Sequence, residues 1–212
     1  MRTHKFLTKS ALVGLGALGV AGAIAMSPTA AHAADTSSSG PGANKLVGYE
    51  GALQPNGYYC APAAVRIALS AHGHTPSFDD LAKDLHTTTA GTDSIHDVTR
   101  VMNFNLGGGY HSVEIPERKA SPEQVEKLRT DVVTGINHGD PIVANIAGTV
   151  SDTIGEPHSY NGGHYLTITG YTEDGRLVSI ADPADRAGGN EYQVPVDRMA
   201  DWIGTRGYAT TS

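Results

Sequence analysis

The sequence predicts an α+β chain in which a helical lobe packs on an antiparallel β-sheet. Three observations predict it. Between Cys60 and Asn137 apolar residues recur mostly at helical spacing, set between capping signals. From Pro141 onward the apolar runs are short and rich in β-formers. Glu173-Asp174-Gly175 lies between two such runs as a hairpin turn, which makes the runs on either side antiparallel neighbours.

The N-terminal residues stand apart from the fold. Arg2, Lys5 and Lys9 precede an uncharged apolar run from Ala11 to Met26, and Ala31-His32-Ala33 has the A-x-A form of a cleavage site. Residues 1–33 are expected to be a secretory signal peptide. The run is short and glycine-rich for a membrane span, so no stable anchor is expected after cleavage. Residues 34–44 include the polar stretch from Asp35 to Ala43 (DTSSSGPGA) and are expected to be a disordered linker. The folded domain is expected over residues 45–210.

Within that domain the first helix is expected over Cys60–Ala71, with Ala64, Val65, Ala68 and Leu69 on one side and Gly73 as its stop. Ser77 opens a short helix through Leu85, with Asp79 and Asp80 in its first turn. Ser94 to Asn103 is a third helix, with Ile95, Val98, Val101 and Met102 on one side. Gly107–Gly109 turns the chain into an alternating strand, Tyr110–Ile115. Ser121-Pro122-Glu123-Gln124 is a capping box with proline at the first helical position. That helix runs to about Asn137, and His138-Gly139 closes it. Strands follow at Pro141–Ala147, at His164–Tyr171, at Arg176–Ala181 and around Tyr192. A last helix runs from Val196 to about Thr205, and Trp202 anchors it to the core. His158-Ser159-Tyr160 could line a cleft, but a surface loop explains it, and Asn161-Gly162-Gly163 is expected to be a turn that delivers His164 to the mouth of its strand.

Composition narrows the function. The chain has 212 residues with 22 acids against 15 bases, which speaks against a nucleic-acid binder. Removing residues 1–33 leaves twelve bases against the 22 acids. One cysteine cannot make an internal disulfide. Cys60 is therefore a buried inert thiol, a thiol paired between chains, or a nucleophile. Its place at a helix start, after the loop from Gln54 to Tyr59, favours the thiolate.

Three further residues complete a candidate constellation. Gln54 could aim its amide at the same point as the Cys60 N–H and help form an oxyanion hole, although a surface glutamine in a turn fits equally. His164 could act as a general base, although a hairpin turn followed by an ordinary half-buried histidine fits equally. Asp182 ends the strand paired with that of His164, at the same end of the hairpin, within reach to orient the imidazole. An ordinary Asp-Pro turn is the alternative, and Asp185 is a nearby competitor. Tyr58, Tyr59 and Gly163 are candidate substrate-contacting residues, although the two tyrosines could equally be core packing. No cofactor and no metal are expected: His72 and His74 flank a helix end, and His138 suits a helix C-terminus.

These residues carry a resemblance. The run Gln54-Pro55-Asn56-Gly57-Tyr58-Tyr59-Cys60-Ala61-Pro62-Ala63-Ala64 resembles the nucleophile motif of the bacteriocin-processing double-glycine peptidases, the papain-fold cysteine peptidase family thirty-nine. Gly163-His164-Tyr165 and Ala181-Asp182-Pro183 resemble that family's histidine and aspartate motifs, in the same order along the chain. The resemblance runs from about Leu46 to Tyr208. It implies a papain-like fold, Cys60 as nucleophile, His164 as base, Asp182 as orienting acid and Gln54 as oxyanion donor. Ala61 stands where glycine is frequent in the family. The sequence shows neither the transmembrane bundle nor the phosphate-binding loop of the transporter-linked members. It resembles the free-standing secreted relatives, so a secreted, monomeric peptidase acting on a peptide or protein is expected. A transglutaminase-like acyl transferase would use the same residues. A catalytically silent module binding peptide or cell wall is the non-enzymatic alternative.

Overall fold

The computed structural model describes residues 45–184 and 191–212. The expected signal peptide, the linker and Asp185 lie outside these residues.

The element order is β1 (Lys45–Leu46), α1 (Cys60–Ser70), α2 (Phe78–Asp84), α3 (Ile95–Leu106), β2 (His111–Ile115), α4 (Pro122–His138), β3 (Ile142–Ser151), β4 (Pro157–Thr172), β5 (Leu177–Ala181), β6 (Glu191–Pro195), α5 (Val196–Ile203) and β7 (Arg206–Thr210). Helix starts follow local chemistry. Ser77 accepts from Asp80 N and Ser94 from His96 N, each satisfying an otherwise orphaned N–H. Ser121 and Gln124 close both bonds of the predicted capping box, with Pro122 inside the first turn. Gly107 and Gly139 end α3 and α4 in left-handed conformations. Helix α1 instead ends at Ser70, with Ala71 still right-handed, and the positive φ of Gly73 comes in the turn beyond.

The strands form one antiparallel sheet in the order β2-β7-β3-β4-β5-β6, and β1 adds to β4 beyond the end of β3. Alternation along the strands sends side chains to opposite faces. Val143, Tyr165 and Ala209 join α1, α2 and α3 in one apolar cluster. Ile142, Ala144, Ile146, Leu166, Ile168 and Tyr208 join α4 and α5 in another. The α+β class is the predicted one, with the helices shared between both faces of the sheet.

The largest difference from the sequence reading concerns β4. Residues 157–163 belong to the strand, with 157–160 paired to Gly148–Ser151, where a surface loop and a turn are expected. His158-Ser159-Tyr160 therefore belongs to the sheet. All seven residues are exposed or half-buried and two are glycines, so no apolar alternation marks this segment as strand. Asn161-Gly162-Gly163 forms a bulge: Ile146 pairs with His164 and Gly148 with Tyr160, leaving only Ala147 opposite these three residues. His164 thus follows a bulge inside a long strand and does not begin one. The sequence reading also lacks β1 and β7; both are short, and β7 (RGYAT) has little apolar alternation. Among the described residues no helix is long and apolar enough to cross a membrane.

Candidate active site

Helix α1 presents Cys60 at its first position, half-buried, with no side-chain cap from Tyr59. The first-turn N–H groups of a helix lack intrahelical acceptors, so positive potential gathers at the thiol. The preceding loop is held at both ends. Gln54 N donates to Pro183 O at 2.9 Å, which ties the loop to the segment after Asp182. Asn56 Oδ1 accepts from Tyr58 N at 3.1 Å.

The sheet brings the second and third groups. Thr167 pairs with Ala181, so Asp182 emerges from β5 beside the part of β4 that holds His164. His164 Nε2 donates to Asp182 Oδ1 at 2.7 Å. That bond leaves Nδ1 as the nitrogen facing Cys60, whose side chain is hydrogen-bonded to His164. His164 is 4% exposed and Asp182 is fully buried.

The electrostatics follow from these contacts. Burial opposes ionisation of Cys60, but the hydrogen bond and charge of His164 outweigh it, and N–H groups of Tyr165 and Ala61 assist. The thiol pKa is lowered from its ordinary value of 9.0. Burial likewise opposes the imidazolium, and the bonds and charges of Asp182 and Cys60 overcome it, raising His164 to about 9. Burial would raise Asp182, yet His164, Tyr192 and the Ala184 N–H hold its pKa below the ordinary carboxylate value. A thiolate beside an imidazolium beside a carboxylate is the charge arrangement a cysteine nucleophile needs.

Asp182 is saturated with donors. Oδ1 accepts from His164 and from Ala184 N at 2.9 Å. Oδ2 accepts from Tyr160 Oη at 2.8 Å and Tyr192 Oη at 2.7 Å. The Tyr160 ring also stacks on His164, centroids 4.0 Å apart and planes 17° apart. Tyr192 stacks on His158 at 3.6 Å, and His158 Nε2 bonds Asp152 Oδ2 at 3.2 Å. The sequence reading lacks this aromatic support. Its signal is the i, i+4 placement of Tyr160 and His164, which stays hidden until the bulge brings the two rings together.

The remaining candidates separate. The side-chain amide of Gln54 donates to Asn56 O at 2.6 Å. Tyr58 and Tyr59 are half-buried and meet edge to face at 5.3 Å, and Tyr59 Oη donates to Asp79. They line the loop before the nucleophile and belong to none of the three core clusters. Gly163 has φ +95° in the bulge. His72 lies 3.5 Å from Asp140, and no group of three metal-ligating side chains occurs among the described residues.

A family model described as the Peptidase_C39 like family matches residues 45–210. The chain belongs to that family. Its membership supports a cysteine peptidase, a hydrolase of peptide bonds. The fold is similar to that of a C39-like peptidase from Bacillus anthracis, at 15% identity and TM-score 0.51, over 76% of this chain and 94% of that one. Weaker likenesses are a double-glycine-motif protease from an AMS/PCAT transporter, solved with its leader peptide (12%, TM-score 0.48, 78% and 91%), and the peptidase domain of Streptococcus ComA (12%, TM-score 0.46, 76% and 97%). No curated protein matches the chain.

Proposed function

We propose that this protein is a secreted cysteine peptidase that hydrolyses peptide amides with Cys60, His164 and Asp182, using Gln54 as an oxyanion donor. The observation that carries the reading is His164 bonded at once to the Cys60 side chain and, at 2.7 Å, to buried Asp182. The Cys60 thiolate attacks the scissile carbonyl carbon, and the carbonyl π pair moves onto oxygen. The Cys60 N–H and the Gln54 amide hold that oxyanion, once Gln54 turns from Asn56 O. Collapse breaks the C–N bond as His164 Nδ1 gives its proton to the leaving amine, leaving a thioester on Cys60. Water then attacks the thioester carbonyl while His164 takes its proton. Breaking the C–S bond releases the acid and returns the thiolate. Asp182 keeps Nε2–H oriented and stabilises the imidazolium throughout.

Export rests on the basic residues, apolar run and A-x-A site of residues 1–33. The mature chain acts as a monomer on a peptide or protein. The test is cleavage of a diverse peptide library in reducing buffer by the mature protein and by Cys60→Ala. Cleavage by the wild type alone supports the reading. Equal cleavage by both, or none by either with a slow-alkylating thiol, contradicts it.

A further inference from the structure

Arg206 opens β7 and is half-buried, and the catalytic account gives it no task. Its side chain lies against Gly163, the residue before His164. A methyl group built on Gly163 would sit 2.9 Å from one terminal nitrogen of Arg206 and 3.0 Å from its guanidinium carbon. Gly163 also has φ +95°, so the position suits glycine on two grounds: backbone conformation and the close approach of a cation. The guanidinium is thus packed on the backbone that delivers His164. Gly163 directly precedes the residue whose imidazole bonds Cys60, so the guanidinium lies beside the segment that serves the nucleophile.

That guanidinium has no anion among the described residues. Among the described residues the Arg206 side chain makes no hydrogen bond or ion pair, and its Nε is buried without an acceptor. Nε is the only one of its nitrogens in that state, so both terminal nitrogens stay within reach of solvent. No acid among the described residues is placed here. Holding a partly desolvated cation unpaired costs free energy that a bound carboxylate would return. The planar fork of arginine suits two-pronged carboxylate recognition.

We propose that Arg206 forms a subsite for a carboxylate of the peptide substrate, beside the Gly163–His164 segment. The proposal rests on the cysteine-peptidase reading of this site and adds a substrate class to it: peptides carrying an acidic side chain, or a C-terminal carboxylate, close to the scissile bond.

The test compares alkylation of Cys60 by iodoacetate and by iodoacetamide, which differ as carboxylate and amide. The ratio of the two rate constants cancels changes in thiolate population, because these act on both reagents alike. Arg206→Gln should lower the ratio about fivefold, whereas Arg206→Lys should keep it within about twofold of wild type. An unchanged ratio in Arg206→Gln would overturn the subsite. Slow alkylation by both reagents in the wild type would instead overturn the peptidase reading, and the ratio would still report on Arg206. Two cleavable peptides then identify the carboxylate: one with an internal Glu and an amidated end, the other with Gln and a free end. Selective loss of cleavage of either one in Arg206→Gln supports the proposal and names the source. Equal loss on a peptide with neither carboxylate contradicts it.

Discussion

Asp182→Asn tests the charge that the site is built around. The carboxylate is fully buried and accepts four hydrogen bonds of 2.7–2.9 Å, from His164, Ala184, Tyr160 and Tyr192. Asparagine can keep the geometry. Its oxygen takes the place of Oδ1 toward His164 and Ala184, and its NH2 faces two tyrosine hydroxyls that can rotate to accept. What it removes is the negative charge. A hydrogen bond to a charged group contributes about 1.5–3 kcal/mol against about 0.5–1.5 for a neutral one. The imidazolium–thiolate pair should therefore weaken by about 1–2 kcal/mol, or about 5- to 30-fold. The assay is the rate of Cys60 alkylation by iodoacetamide across about pH 4–10. In the wild type the rate rises at low pH, as the lowered thiol pKa is passed, and changes again near 9 as His164 loses its proton. In Asp182→Asn the low-pH rise should move upward and the neutral-pH rate should fall by that factor. Superimposable profiles would refute the reasoning.

Other perturbations separate support from chemistry. Tyr160→Phe removes one bond to Asp182 and keeps the stack, so alkylation at neutral pH should slow about threefold to tenfold; Tyr160→Leu, which also removes the stack, should slow it more, and equal rates in all three proteins would contradict the positioning role. Stability should respond to pH through two opposed groups. His164, raised from 6.5 to about 9, stabilises the fold below 6.5 and loses that contribution as pH rises through about 9. Cys60, lowered from 9.0, stabilises above that value and loses its contribution as pH falls through its own folded pKa. Cys60→Ala removes the second and leaves His164 raised by Asp182 alone, so urea melts should show stability falling more steeply above about pH 7 than in wild type, by at most about 1.4 kcal/mol per pH unit; an unchanged slope would count against the pair. Gly170→Ala would put a methyl 2.5 Å from Lys45 O and 2.9 Å from Leu46 Cδ1, where β1 meets β4. That should cost about 1–3 kcal/mol and lower Tm by about 2–10 °C in a thermal melt, and an unshifted Tm would show that β1 is not held there.

Much of this architecture is legible in the sequence, because its helices announce themselves locally. Ser77, Ser94 and Ser121 cap where they are expected, and Glu173–Gly175 turns the chain between β4 and β5. The nearness of Asp182 to His164 is legible too, since the hairpin pairs β4 with β5 and carries the end of β5 to the part of β4 that holds His164. The helices' division between two faces is not, because each amphipathic stripe says only that it is buried. The bulge at Asn161–Gly163 is hidden for a related reason. Glycine-rich polar residues look alike in a turn and in a kinked strand, and only pairing with Gly148–Ser151 distinguishes them. The bonds of Tyr160 and Tyr192 to Asp182 and the packing of Arg206 on Gly163 are not legible, because each joins residues from different strands.

The most direct test of the central claim is the ultraviolet titration of the Cys60 thiolate, read as the difference between wild type and Cys60→Ala. The account predicts that one thiolate is already present well below the ordinary thiol pKa of 9.0, and that His164→Ala abolishes this low-pH signal. A thiolate that forms only around the ordinary value, unchanged by His164→Ala, would contradict an activated Cys60.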